Sequence, residues 1–111
     1  MNGILIVDKP EGLSSAKTVA RVKHLLKVAR VGHTGTLDPF ARGVLVCCLN
    51  QATRLAQFLL HDVKAYDAVM TLGVETDTQD PTGKVVGQGD WTGVTADRLE
   101  RCLQGFVGTF A

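Results

Sequence analysis

Six consecutive apolar residues, Val44–Leu49 (VLVCCL), constrain this chain more than any other stretch. A run of that length suits a strand covered on both faces, so the sequence predicts a central strand with structure packed above and below it. It is far short of a membrane span, which needs about 20 apolar residues. Cys47 and Cys48 lie inside the run, and Cys102 is the only other cysteine. An odd set with two adjacent members offers no disulfide framework; it fits a reducing compartment and buried structural thiols. No Cys-x-x-Cys or paired histidine spacing suggests zinc. The start, MNGILIVDKP, lacks a basic segment and its apolar stretch ends at Asp8, so no signal peptide is expected and the cytoplasm is the expected location.

Other elements can be placed around that strand. Ile4–Val7 is a short apolar run ended by Asp8-Lys9-Pro10, which predicts a buried strand running into a turn. Ser14 or Ser15 can cap the helix that follows, where Val19, Val22, Leu26 and Ala29 recur at helical spacing. Val31–Pro39 (VGHTGTLDP) has two glycines and no apolar period, which predicts a loop. Asn50 is expected to cap a short helix over about 51–60. Tyr66, Ala68, Met70 and Leu72 alternate with their neighbours, which predicts a half-buried strand. Residues 75–83 (ETDTQDPTG) form a polar turn-rich loop before a strand near 84–86. Thr95 can cap a last helix with Leu99, Cys102, Leu103 and Phe106 inward, and residues 108–111 resemble the start of another strand. The element order is mixed α/β, or α+β: a mixed sheet flanked by helices. A length of 111 residues suits one small domain or part of one.

The formal net charge of +1 hides a division. Residues 1–54 carry eight Lys/Arg against three acids, leaving +5, while residues 55–111 carry four against eight, leaving −4. Such an asymmetry hints at a face turned toward a polyanion. Lys17, Arg21 and His24 fall opposite the apolar side of the first helix. A solvated face is the usual fate of such charges; phosphate contact is the other reading.

The stretch richest in chemistry is Gly32-His33-Thr34-Gly35-Thr36-Leu37-Asp38-Pro39. Glycines beside His33 permit backbone conformations denied to other residues and let a ligand approach closely. Pro39 pushes Asp38 toward extended geometry, which limits where its carboxylate points. A loop carboxylate above a buried strand can serve as nucleophile, general base or electrostatic stabiliser, or it can simply open a turn. No second acid is close in sequence, so a paired-carboxylate glycosidase has little support. The loop also lacks the Gly-Lys-Ser/Thr ending of a P-loop, although a small-molecule enzyme holding phosphate at Gly32–Gly35 is conceivable from these residues alone.

Taken together, five blocks in order resemble the TruB family of tRNA pseudouridine synthases, in their bacterial form: GILIVDKPEGLSS (3–15), VGHTGTLDPFARG (31–43), ATR (52–54), KAYDAVMTLG (64–73) and TDTQDPTG (76–83). The resemblance implies an enzyme that detaches uracil at N1 within tRNA and rejoins it to the ribose through C5, acting on a T-loop uridine in the T-arm. That chemistry calls for no redox or group-carrying cofactor, so none is expected, nor a metal. Asp38 matches the family's catalytic aspartate, which either attacks C1′ or removes a ribose proton. Reaching the sugar requires the base to be flipped out of the loop. Tyr66 matches the active-site tyrosine, whose ring can stack on uracil and whose hydroxyl can help move the C5 proton. His33 matches the histidine that fills the space left by the flipped base, with Gly32, Thr34 and Gly35 around it. Lys9 and Pro10 match a motif packed beneath the active-site loop. Lys17, Arg21 and Arg54 are the candidate backbone-phosphate contacts.

The sequence departs from the family pattern in three places. Asn50 stands where many relatives have glycine. Residues 87–93 (GQGDWTG) match no pattern. The family continues past Gly108-Thr109-Phe110 with a Gln-x-Pro-Pro segment, further strands carrying an active-site arginine, and often an RNA-binding domain. The expectation is therefore that residues 1–111 are the N-terminal portion of the catalytic domain. Two functions follow: a tRNA pseudouridine synthase, or an RNA-binding but catalytically incomplete fragment.

Overall fold

In the computed structural model, which describes residues 1–109, the apolar run forms the middle strand of a three-stranded antiparallel sheet. Strand β1 (Gly3–Lys9) is followed by helix α1 (Ser15–Leu26), strand β2 (Val31–His33) and strand β3 (Gly43–Leu49), with the spatial order β1-β3-β2. Registers are continuous: Leu5 and His33 both face Cys47, and Ile4 and Gly32 both face Cys48. Consecutive strand residues point to opposite faces. Cys47 and Cys48 are both fully buried, so β3 is covered on both sides at this end, as its composition predicts. At its start Val44 is 67% exposed while Leu45 beside it is buried, so only one face is open at that end.

Helix α1 begins at Ser14, whose hydroxyl accepts from the Lys17 N–H at 3.1 Å. It ends at Lys27, which turns left-handed (φ 53°) and returns its N–H to the Lys23 carbonyl. The helix contributes Val22 to a core with Val28 and Leu49, against which Leu5, Val7 and Val31 pack. Each fully buried aliphatic side chain here contributes about 1.5–3 kcal/mol. This unit comprises residues 1–66.

Residues 67–111 form a second unit. Its described part contains a hairpin of β4 (Val74–Thr76) and β5 (Val85–Gln88), and helix α3 (Ala96–Gln104) capped by Thr95. The hairpin turn is built on polar side chains. Asp80 Oδ1 accepts from the Thr78 and Thr82 hydroxyls, both at 2.6 Å, and from the Thr82 N–H at 2.8 Å. These bonds, led by the Thr78 hydroxyl, hold the Asp80 carboxyl below the usual carboxylate range. Residues 87–93, unmatched by any sequence pattern, close the hairpin's other end. The Gly89 N–H donates to the Gly73 carbonyl at 2.9 Å, and Trp91 lies so close to Gly73 that a β-carbon there would meet its ring at 2.6 Å.

The sheets are antiparallel throughout, so the mixed α/β expectation resolves to its α+β form. Five local expectations are corrected. Val31–His33 is a strand, because the ladder of β3 supplies partners that three residues could not signal alone. Asn50 does not cap a helix; it sits left-handed (φ 50°) at the start of a 3-10 turn (Asn50–Leu55) that precedes the single-turn helix α2 (Ala56–Leu59). Its side chain instead accepts from the Arg30 N–H at 3.0 Å and donates to the Met1 carbonyl at 2.6 Å. Tyr66–Leu72 forms no strand: its alternation has no neighbouring ladder among the described residues to pair with, and Tyr66, Ala68 and Met70 are exposed. On α3, Leu99 is half-buried, but Cys102 and Leu103 face solvent among the described residues, and Phe106 lies beyond the helix end and is exposed as well. Gly108 and Thr109 are not in a strand, and the remainder of that expected strand, residues 110–111, lies outside the described residues.

Burial raises the thiol pKa values of both Cys47 and Cys48, and the neighbouring Cys48 adds to the shift at Cys47. Their neutral forms are favoured in the folded chain, so their contribution to stability persists below about pH 9.0 and is lost at higher pH, where unfolded thiols ionise. Titration of the native chain with a thiol reagent near pH 8 is expected to modify Cys102 alone, with Cys47 and Cys48 reacting only in denaturant. Rapid native reaction at all three would show that β3 is open on both faces at this end.

Candidate active site

Asp38 lies on the loop between β2 and β3, with its side chain exposed. The loop is held at four points. At its entry the Thr34 N–H extends the ladder by donating to the Val46 carbonyl at 3.0 Å. One residue before Asp38, the Ser15 hydroxyl accepts from the Leu37 N–H and donates to the Leu37 carbonyl, both at 2.9 Å. One residue after it, the Pro39 carbonyl accepts from the Gly12 N–H at 2.6 Å and from Lys9 Nζ at 3.3 Å. Beyond it, the Ala41 N–H closes a turn on the Asp38 carbonyl at 2.9 Å. The aspartate thus projects from a backbone tied on both sides, while its carboxylate is left free for a ligand.

The sequence builds this support from the β1–α1 connection. Lys9 ends β1 and is fully buried; its ammonium donates to the carbonyls of Leu13 (2.6 Å), Pro10 (3.0 Å) and Pro39. It therefore braces the loop from beneath and does not face a ligand. Ser14 and Ser15 divide the work that either could do: Ser14 caps the helix, and Ser15, buried in its first turn, holds Leu37. Sequence reasoning missed Ser15 because its partner is 22 residues away. Ser15→Ala is expected to lower stability by about 1–3 kcal/mol by leaving both Leu37 groups unpaired, and to speed Leu37 amide exchange more than exchange in β1 or β3. Uniform acceleration would show that Ser15 has no local effect on the loop.

The other candidates are arranged around this loop to differing degrees. His33 ends β2, and its Nδ1 lies 3.0 Å from the Gly35 carbonyl. Gly32 sits opposite Cys48, and a β-carbon there would meet the Thr53 methyl at an ordinary contact distance of 3.8 Å. Gly35 has φ +105°, a conformation suited to glycine. Lys17 and Arg21 are exposed on α1, and Arg54 is exposed on the 3-10 turn. Tyr66 is 68% exposed at the end of the first unit, and no hydrogen bond ties it to the Asp38 loop. The hydrogen-bonded cluster is thus Lys9, Gly12, Ser15, Leu37 and Pro39, with Asp38 at its outer edge.

Asp38 is thus an exposed acid on a braced loop that also carries Gly35. Residues 23–111 match the family described as TruB family pseudouridylate synthase (N terminal domain), and the chain belongs to that family. It is 49% identical over 108 residues to a protein of Geotalea uraniireducens named tRNA pseudouridine synthase B, covering 97% of this chain and 35% of that one. Proteins with the same name from Syntrophobacter fumaroxidans and Bordetella parapertussis are 55% and 44% identical over 77% and 98% of this chain, which covers 28% and 46% of their lengths. The chain thus spans less than half the length of these relatives. Among solved structures, a chain in the crystal structure of a Cbf5-Nop10-Gar1 complex matches with 45% identity and a TM-score of 0.49, over 50% of this chain and 17% of that one. No helix among the described residues is long and apolar enough to cross a membrane.

Proposed function

We propose that this chain carries the catalytic aspartate of a tRNA pseudouridine synthase acting on the T-loop uridine. The observation that carries the reading is the presentation of Asp38: an exposed carboxylate between two backbone residues that distant elements hold in place. Family membership supports it, as does the name shared by the relatives. In the reaction the N1–C1′ bond breaks, the C5–C1′ bond forms, C5 loses a proton and N1 gains one. The composition of the RNA is unchanged. Asp38 either attacks C1′ or takes a ribose proton, and a fixed backbone lowers the cost of orienting it for either step. His33 occupies the gap left by the flipped base, within the turn of Gly32, Thr34 and Gly35. Tyr66 stacks on the uracil and helps carry the C5 proton. Lys17, Arg21 and Arg54 meet phosphates of the T-arm.

The exposed position of Tyr66 favours a second reading, that the chain binds RNA without completing the reaction. Release of tritium from a T-arm stem-loop labelled at uridine C5 separates the two, because only isomerisation expels that hydrogen. The assay is run on the chain alone and on the chain joined to the C-terminal remainder of the Geotalea relative. Release by either, abolished when the target uridine is replaced by cytidine, is the expected result. RNA binding without release by both would establish the second reading, and no RNA binding by either would refute both.

A further inference from the structure

We propose that Lys64 forms an anion subsite with Gly35 that holds a phosphodiester of the RNA beside the nucleotide presented to Asp38. The inference rests on the functional reading above. Lys64 follows α2 in a stretch of exposed residues, yet its side chain lies against Gly35 of the Asp38 loop. A β-carbon at Gly35 would come within 2.6 Å of Lys64 Nζ and 3.3 Å of its Cε. The ammonium therefore occupies the space that a side chain at position 35 would fill. Gly35 meets two demands at once: φ +105°, which L side chains rarely adopt, and an open face for the cation.

Holding a lysine in this way costs side-chain entropy, which some interaction must offset. Among the described residues the ammonium has no hydrogen-bond acceptor and no carboxylate in ion-pair range. Nor does the sequence offer an acid between Gly12 and Leu37, while that span carries Lys17, Arg21, Lys23, Lys27 and Arg30. The cation thus lies beside Gly35, which is three residues before the exposed Asp38, in a part of the chain that draws in negative charge. A compact ammonium is a point-charge phosphate binder. The nucleotide offered to Asp38 has a phosphate on either side, so a cation lying against this loop meets the backbone where the target sugar must be held. Positioning of that kind is sequence-independent and sets register.

The test uses the chain and a fluorescent T-arm stem-loop RNA, with affinity measured across a salt series. Lys64→Gln is expected to weaken binding roughly three- to tenfold at low salt and to reduce the slope of log K against log salt by about 0.7–0.9, the loss of one phosphate contact. Lys64→Arg is expected to restore most of that slope. Gly35→Ala is expected to reproduce the slope change of Lys64→Gln by displacing the ammonium, whatever it adds through backbone strain. An unchanged slope in Lys64→Gln, with the unaltered chain binding RNA, would overturn the subsite and leave the functional reading intact. Failure of the unaltered chain to bind RNA at any salt would overturn the subsite directly. Tritium release by the chain joined to the Geotalea remainder then decides the functional reading separately.

Discussion

Asp38→Asn is expected to lower tritium release from the T-arm substrate by at least about a thousandfold, equivalent to ~4 kcal/mol of transition-state stabilisation. The substitution keeps the size of the side chain and removes its charge and its basicity. It leaves the supports of the loop in place, because Ser15, Gly12 and Lys9 all bond to backbone atoms of Leu37 and Pro39, and Asp38 itself contributes only its carbonyl to the turn with Ala41. Thermal stability is therefore expected to stay within about 0.5 kcal/mol of the unaltered chain, the ordinary range for an exposed substitution. RNA affinity is expected to be equal or slightly tighter, since the proposed function turns this surface toward a polyanion and an anion has been removed from it. The measurement is paired: turnover in the active form, and binding of the same stem-loop at fixed salt. Full turnover in the variant would remove Asp38 from the mechanism.

The second large effect falls beneath the loop. Lys9→Met replaces a buried ammonium with an apolar chain of similar length. The Leu13 and Pro10 carbonyls lose their donor, while the Pro39 carbonyl keeps the Gly12 N–H. Two orphaned carbonyls cost about 1–3 kcal/mol each, against a total stability of about 5–15 kcal/mol for a native domain. The urea midpoint is expected to fall by roughly 2 M, taking the middle of both ranges with a slope of about 1–3 kcal/mol/M for small proteins. An unchanged midpoint would mean that apolar packing at this position offsets the loss of the ammonium's three bonds.

Local patterns in the sequence were informative wherever a residue's structural task concerns its near neighbours. The six-residue apolar run is the central strand, Ser14 and Thr95 cap the helices whose periods they precede, and the Asp80 turn is made by the residues that suggest a turn. Legibility fails where the partner is distant. Three residues of β2 carry too little pattern to mark a strand; their ladder is supplied by β3. Asn50 suits both a helix cap and a left-handed backbone, and its bonds to Arg30 and Met1 select the second. Alternation at Tyr66–Leu72 is necessary for a half-buried strand but does not supply a partner. Around the site, the loop was legible from its glycines and its aspartate. Its supports were less so: Lys9 and Pro39 are 30 residues apart, and Ser15 and Leu37 are 22. Lys64 against Gly35 leaves no mark in spacing at all.

The two adjacent serines at the start of α1 couple loop geometry to helix fraying. Opening the first turn of the helix would release the hydroxyl of one serine from its cap and carry the other away from Leu37. Helix ends open far more readily than whole domains unfold. Where that turn opens ahead of the sheet, the fraction of molecules with a correctly held Asp38 falls with it. Reinforcing that terminus from the exposed side, for instance with an acid in its first turn, where α1 has none, would widen the temperature range over which the carboxylate stays in place without touching the loop itself.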